Sequence, residues 1–118
     1  RLSAARLMEG RLQSSILVNA LQRRAESEGG FAAVLAKGDP TAGAVLVILA
    51  ERGEKIKILE RLLEGGERYA WHEVGKQALA NEQELQKFLE RRRRFDPDIW
   101  LIELDVASAE RFAAEMND

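Results

Sequence analysis

The sequence predicts an α+β fold in which helices pack on a mostly antiparallel sheet of about five strands. Apolar residues recur at about every 3.6 positions up to Gly29-Gly30 and at about every second position after it. Short glycine turns then separate the apolar runs, which is typical of antiparallel strands. Helical spacing returns in the C-terminal third, so the predicted element order is α-β-β-β-β-α-β-α.

The first predicted element is a helix from Ser3 to about Glu28, ended by the glycine pair. One apolar face should pack on the domain: Leu17, Val18, Leu21 and Ala25. A second apolar stripe lies on nearly the opposite side: Ala5, Met8, Leu12 and Ile16. Because one small domain should not need both faces, we expect the second stripe to form the interface of a homodimer.

Four predicted strands follow, at 31–38, 43–51, 55–63 and 68–74, and short turns between them indicate an antiparallel meander. The turn "KGDPTAG" separates the first two strands, and Pro40 restricts its backbone. The run "GAVLVILAE" has no polar alternation, so it should be an interior strand that is paired on both edges.

Residues 75–80 form a connection to a second helix, for which Asn81 is the predicted N-cap and Glu84 completes a capping-box pair. That helix continues into the four arginines 91–94 and ends before Pro97. A further strand is predicted at 98–106, and a short helix capped by Ser108 at 108–116.

Composition predicts a single domain spanning residues 1–118. The net charge of −2 argues against a surface built as a whole to hold nucleic acid. The chain has no cysteine, which excludes disulfides, thiol catalysis and zinc–cysteine clusters and favours a reducing cytoplasm. The longest apolar run, 42–50, is too short to cross a membrane.

No catalytic, metal or cofactor site is predicted. His72 is the only histidine, so a two-histidine metal site is excluded, and a catalytic base would need an orienting neighbour. The four acidic residues near the last strand do not converge as a magnesium site requires: Asp96, Asp98, Glu103 and Asp105. Tyr69 and Trp71 share one strand face. We predict that both side chains pack in the core and do not stack on RNA bases.

The run "RRRR" is the strongest candidate for an anion-binding site. Four consecutive helical residues fan across about 300°, so they cannot all face one ligand. The helical phase places Arg92 on the core-facing stripe and Arg94 nearly opposite. We therefore expect Arg92 to be the most buried of the four and ion-paired, with Asp96, Asp98, Glu103 or Asp105 as its partner, and Arg94 to be the most exposed. The alternative is an anion-binding patch: Arg23, Arg24, Arg91, Arg93 and Arg94.

Three segments together resemble a family of short alphaproteobacterial proteins of unknown function: "LVNALQRRAESEGGFAAVLAKGDPTAGAVLV", "RYAWHEV" and "RRRRFDPDIWLIELD". The resemblance runs from about Leu12 to Phe112 and implies a bacterial cytoplasmic setting and a compact domain, but no mechanism. The sequence thus favours a protein–protein interaction or structural module that self-associates through its N-terminal helix. Nucleic-acid or anionic-ligand binding is the alternative, and an enzyme is the third interpretation.

Overall fold

A computed structural model describes residues 12–66 and 68–118 of the chain. Its helices are α1 (Ser14–Ser27), α2 (Glu82–Phe95) and α3 (Ala109–Met116), and a short 3-10 helix spans Lys76–Ala80. Its strands are β1 (Phe31–Ala36), β2 (Val45–Glu51), β3 (Glu54–Glu64), β4 (Arg68–Glu73) and β5 (Trp100–Asp105). The predicted α+β class and the predicted order of helices and strands are confirmed.

The five strands form one mixed sheet in the order β1-β5-β2-β3-β4. The prediction of an antiparallel meander is correct for β2, β3 and β4. It is wrong for β1, because β5 inserts between β1 and β2. β5 runs antiparallel to β1 and parallel to β2. The central pair is thus the parallel one, as expected of strands that are covered on both faces.

Two apolar layers lie on opposite faces of the sheet. On one face, α1 and α3 pack against residues such as Val47 and Ile102. On the other face, α2 and the 3-10 helix pack against residues such as Ile48 and Leu101. β2 contributes to both layers and pairs with a strand on each side, so the prediction of an interior strand is confirmed. Burial of each large aliphatic side chain stabilises the fold by roughly 1.5–3 kcal/mol.

The start of α1 differs from the predicted helix over 3–28. Gln13 precedes the first helical turn and has an extended backbone, with φ −64° and ψ 146°. The Ser14 hydroxyl is buried and donates a hydrogen bond to the Gly43 carbonyl, which fixes this end of α1 to the loop before β2. Leu12 and Ile16 therefore do not lie on one uninterrupted helix, and Ala5 and Met8 lie outside the described residues.

The other two helices begin where the sequence predicts. The Asn81 side chain accepts a hydrogen bond from the Glu84 amide at 2.9 Å, and the Ser108 hydroxyl accepts one from the Arg111 amide at 3.2 Å. Each bond satisfies an amide that the first helical turn leaves without a partner. In the part of the chain that the structure describes, no helix is long and apolar enough to cross a membrane.

Candidate interaction surface

Strand β1 forms one edge of the sheet and presents apolar side chains to solvent. Phe31, Val34 and Leu35 are 76%, 41% and 46% exposed. β1 pairs with β5 along one side only, and no strand among the described residues pairs with its other side. The register shifts between Val34 and Ala36, so β1 contains a bulge at Leu35. The strand "FAAVLA" has no charged residue and no proline, so the bulge at Leu35 is its only protection of the kinds that edges usually carry within the strand.

The opposite edge, β4, is covered in a different way. The Asn117 side chain just after α3 accepts a hydrogen bond from the Trp71 amide at 2.8 Å and donates one to the Trp71 carbonyl at 3.0 Å. This side chain therefore takes the place of a further strand at the middle of β4. Charged or polar residues also lie along this strand, including Arg68, His72 and Glu73. An incoming strand would have to displace Asn117, so β4 is a closed edge and β1 an open one.

At the end of α2, Arg92 is half-buried while its three arginine neighbours are exposed. Its Nη1 and Nη2 atoms lie 2.9 Å and 2.5 Å from the two carboxylate oxygens of Glu60 in β3. The hydrogen bonds that Arg92 donates to Glu60 raise the pKa of Arg92, partial burial opposes that rise, and the charges of Glu60 and Asp96 add to it. The sequence named the wrong partner, because Glu60 lies on a strand that is distant in sequence but sits under α2.

Three of the four expected carboxylate partners serve other groups. Asp96 accepts a hydrogen bond from the Asp98 amide, Glu103 pairs with Lys55 at 3.1 Å, and Asp105 accepts bonds from the amides of Arg52 and Gly53. Asp96 and Asp105 thus stabilise turns at opposite ends of β5. Across residues 12–66 and 68–118, no three acidic or histidine side chains are grouped so that they could hold a metal ion.

The arginines proposed as one anion-binding patch fall on two separate faces. Arg23 and Arg24 belong to α1, whereas Arg91, Arg93 and Arg94 belong to α2 on the other side of the sheet. Arg24 is also engaged internally, since it pairs with Glu28 and Glu115 and lies 4.5 Å from the Phe112 ring centroid. The five side chains cannot contact one ligand, although the exposed arginines of α2 share one end of that helix.

The described members of the apolar stripe have different surroundings. Leu12 is half-buried and packs against the layer that contains α1, while Ile16 is 48% exposed. Leu12 also lines a cleft together with Arg61 of β3 and Tyr69 of β4. Leu12 thus lies near β3 and β4, whereas Ser15 at the start of α1 donates its amide to the Pro40 carbonyl in the loop after β1.

The aromatic residues and the histidine of β4 fill structural positions. Trp71 is buried in the layer under α1 and α3. Tyr69 is half-buried, with the guanidinium of Arg61 4.1 Å from its ring centroid. His72 lies on the α2 face, where its Nε2 atom is 2.9 Å from a carboxylate oxygen of Glu64. Both side chains of that pair are substantially exposed, so the contact lies at the surface of the sheet.

A cleft of about 820 Å³ opens where the parallel strands β2 and β5 end. Its carboxylates include Glu51 and Asp105, and both are used by the backbone of the fold. Glu51 accepts a hydrogen bond from the Ala109 amide at the start of α3, and Asp105 holds the turn between β2 and β3. Both of these carboxylates therefore already have structural partners.

The open edge of β1 is the surface that sequence reasoning missed. The signal was the absence of any charged residue in "FAAVLA", a strand placed next to a glycine turn. Absent charge identifies an edge only when the strand order is known, because interior strands are uncharged too.

This geometry defines a small α+β domain with one mixed sheet between two helical layers, a closed edge and an open edge. The family of proteins of unknown function called DUF1491 matches residues 12–114, and the chain belongs to that family. No match is found among curated proteins.

Solved structures of similar proteins come from two bacteria. The crystal structure of a DUF1491 family protein from Caulobacter crescentus has 37% identity and a TM-score of 0.74, over 86% of this chain and 94% of that one. An NMR structure of a DUF1491 family protein from the same organism has 37% identity and a TM-score of 0.73, covering 86% and 92%. A solution structure of an A. tumefaciens protein has 31% identity and a TM-score of 0.67, covering 86% and 92%. Because Caulobacter is an alphaproteobacterium, these matches confirm the family resemblance seen in the sequence.

Proposed function

We propose that this chain is a protein–protein interaction module that binds by accepting an additional strand on the open edge of β1. The observation that carries the proposal is the exposure of Phe31, Val34 and Leu35 along an uncharged strand whose outer edge has no partner among the described residues. In such binding the main-chain hydrogen bonds supply affinity, and the side chains on both faces supply specificity. The proposed interface is therefore the edge of the sheet and not the apolar stripe of the N-terminal helix that the sequence predicted.

The contrast between the two edges supports this function. An unpaired strand edge favours aggregation, and proteins ordinarily protect it with charges, prolines, bulges or a covering group; β1 has only the bulge at Leu35. In this fold the Asn117 side chain covers β4, whereas no described strand covers the apolar edge of β1. An edge that is open while its counterpart is closed is best explained by a partner strand.

The module is proposed to work in the cytoplasm. The cysteine-free composition supports that setting, since a chain without disulfides has no need of an oxidising compartment. Strand addition requires only backbone groups and apolar side chains, so neither a cofactor nor a metal enters the proposal.

The test is a titration of the isotopically labelled chain with a terminally blocked, strand-forming peptide, KVTVTVK, at a protein concentration where the chain is monomeric. The amide signals of Ala32 to Leu35 should shift or broaden, while those of β4 should not. The matched control peptide KVTPTVK has a central proline that removes a donor and restricts the chain, so it should have little effect. Shifts confined to β4, or equal effects of the two peptides, would refute strand addition at β1.

A further inference from the structure

We infer that the strand accepted by β1 is the β1 strand of a second copy, so that two sheets join around a two-fold axis into one continuous sheet. This inference rests on the proposed function and names its partner. It differs from the predicted dimer, whose interface was the stripe Ala5, Met8, Leu12 and Ile16. Three features of the described residues support the second copy: the composition of β1, the position of α1 and the closure of β4.

The composition of β1 suits pairing with itself. In an antiparallel two-fold pair, residues directly opposite each other lie on the same face of the sheet, so the axis passes beside one residue and its own copy. An axis at Ala33 places Ala32 opposite Val34 of the second copy, a small side chain against a larger one. Two-fold symmetry also brings identical charges together near the axis, and β1 contains none.

The position of α1 completes the interface. α1 packs over β1 and β5, and neighbouring strands lie about 4.8 Å apart. A two-fold axis at the outer side of β1 therefore places the two α1 helices about 10 Å apart, which is close to the spacing of packed helices. The strand pair would then be covered on one face by a helix pair, and the interface would extend beyond six backbone residues.

The flank of α1 that would meet its copy can be identified from its contacts. Arg24 marks the flank that faces α3, because it contacts Phe112 and Glu115. Helical spacing puts Ser15, Asn19, Gln22 and Glu26 on the opposite flank, toward the outer side of β1. The first three side chains are polar and uncharged, so they are able to form hydrogen bonds across a two-fold axis without repelling one another. Glu26, near the C-terminal end of α1, is the charged member of this flank.

The closed edge at β4 explains why such pairing stops at two chains. A sheet with two open edges would add further copies and grow into a filament. Here the hydrogen bonds between Asn117 and Trp71 occupy the far edge, so each joined sheet ends in a closed edge on both sides. The preferred assembly is then a dimer and not a fibre.

The first experiment is analytical ultracentrifugation of the full chain across micromolar to millimolar concentrations, with charged variants. The chain should be a reversible dimer, and Val34→Lys should raise its dissociation constant by about tenfold or more, because like charges then meet beside the axis. Leu62→Lys is the matched control, since Leu62 is a similarly exposed apolar residue of β3 and should leave the dimer intact. Both variants should fold, because Val34 and Leu62 are exposed in the wild-type chain, and circular dichroism checks this.

The second experiment uses the absence of cysteine in the chain, so that each variant carries a single thiol. Ala33→Cys should form a covalent dimer on mild oxidation, because the β-carbons of directly opposed residues come within about 4.5–5.5 Å, near disulfide range. Ala114→Cys on the exposed side of α3 should stay monomeric under the same conditions. A dimer that forms with Ala114→Cys but not with Ala33→Cys would overturn the proposed axis.

The outcomes separate the two proposals. A chain that stays monomeric at millimolar concentration, yet shows KVTVTVK shifts confined to β1, excludes the second copy and retains strand addition as the function. A dimer that persists in Val34→Lys and dissociates in Leu62→Lys overturns the β1 interface. A monomer that does not bind the peptide refutes both proposals.

Discussion

Arg92 of α2 and Glu60 of β3 join the helix to the sheet through two parallel hydrogen bonds, of 2.9 Å and 2.5 Å, between one guanidinium and one carboxylate. Both side chains are largely shielded, with 26% and 13% of their surfaces exposed. The two-point geometry fits arginine and not lysine. The pair lies at the border between the apolar layer under α2 and the exposed end of that helix.

We expect Arg92→Ala to lower the free energy of unfolding by about 1–3 kcal/mol, because it leaves the shielded Glu60 carboxylate without its cation. Arg94→Ala is the control and should change stability by less than about 0.5 kcal/mol, since Arg94 is exposed. Urea denaturation measures both values. Equal losses in the two variants would show that the Arg92 pair has no special role.

The pH dependence of this pair has a defined sign. Glu60 raises the pKa of Arg92 in the folded chain above its value in the unfolded chain. The stabilisation from this shift is therefore fully present below the unfolded pKa, and it is lost only in strongly alkaline solution. Between pH 6 and pH 9, the stability difference between the wild-type chain and Arg92→Met should stay constant in urea denaturation. A difference that declines steadily toward pH 9 would contradict this sign.

Asn117→Ala should expose the edge of β4. The substitution removes two hydrogen bonds to the Trp71 backbone, and each contributes roughly 0.5–1.5 kcal/mol to stability. Hydrogen exchange should show faster exchange of the Trp71 amide, and light scattering should show species larger than the proposed dimer. Glu115→Ala is a nearby control on α3 that leaves the edge covered. Unchanged Trp71 exchange in Asn117→Ala would argue against this role for the side chain.

Val47→Asp should unfold the domain or cost several kcal/mol. Val47 is fully buried in the middle of β2, so an aspartate there is a charge without a partner. The same substitution at Val34 on β1 should cost about 1 kcal/mol or less, because that side chain is partly in solvent. Thermal and urea unfolding compare the two variants, and similar losses would contradict the assignment of interior and edge strands.

Gly30→Ala should destabilise the chain by about 1–3 kcal/mol through a steric clash. A β-carbon at Gly30 would lie 2.1 Å from the Asp105 carbonyl oxygen, so the start of β1 would have to move away from β5. Gly29→Asn is the control, since a β-carbon at Gly29 meets no atom within 4 Å and asparagine tolerates its positive φ. A smaller loss for Gly30→Ala than for Gly29→Asn, measured by urea denaturation, would show that the close approach is unimportant.

The helices and strands were predictable because each is encoded by local patterns. The Asn81 and Ser108 caps, the glycine turns and the buried run of β2 act over a few neighbouring residues, and the structure contains all of them. The helical phase likewise identified Arg92 as the half-buried arginine.

The order of the strands was not predictable, because nothing local to β5 specifies that it pairs with both β1 and β2. Two errors have this common origin. Glu60 was missed as the partner of Arg92, since the strand beneath α2 was unknown. The open edge of β1 was missed because a meander would have placed that strand beside β2.

The insertion of β5 between β1 and β2 also constrains how the chain folds. Phe31 pairs with Asp105, about 70 positions later in the chain, and contacts of such sequence separation slow folding. While the chain is being synthesised, β1 has no native strand partner until β5 has left the ribosome. β2, β3 and β4 are able to form a hairpin array before that, with the apolar flank of β2 exposed. The arrival of β5 then closes the centre of the sheet and holds β1 at its margin, before α3 packs on one face.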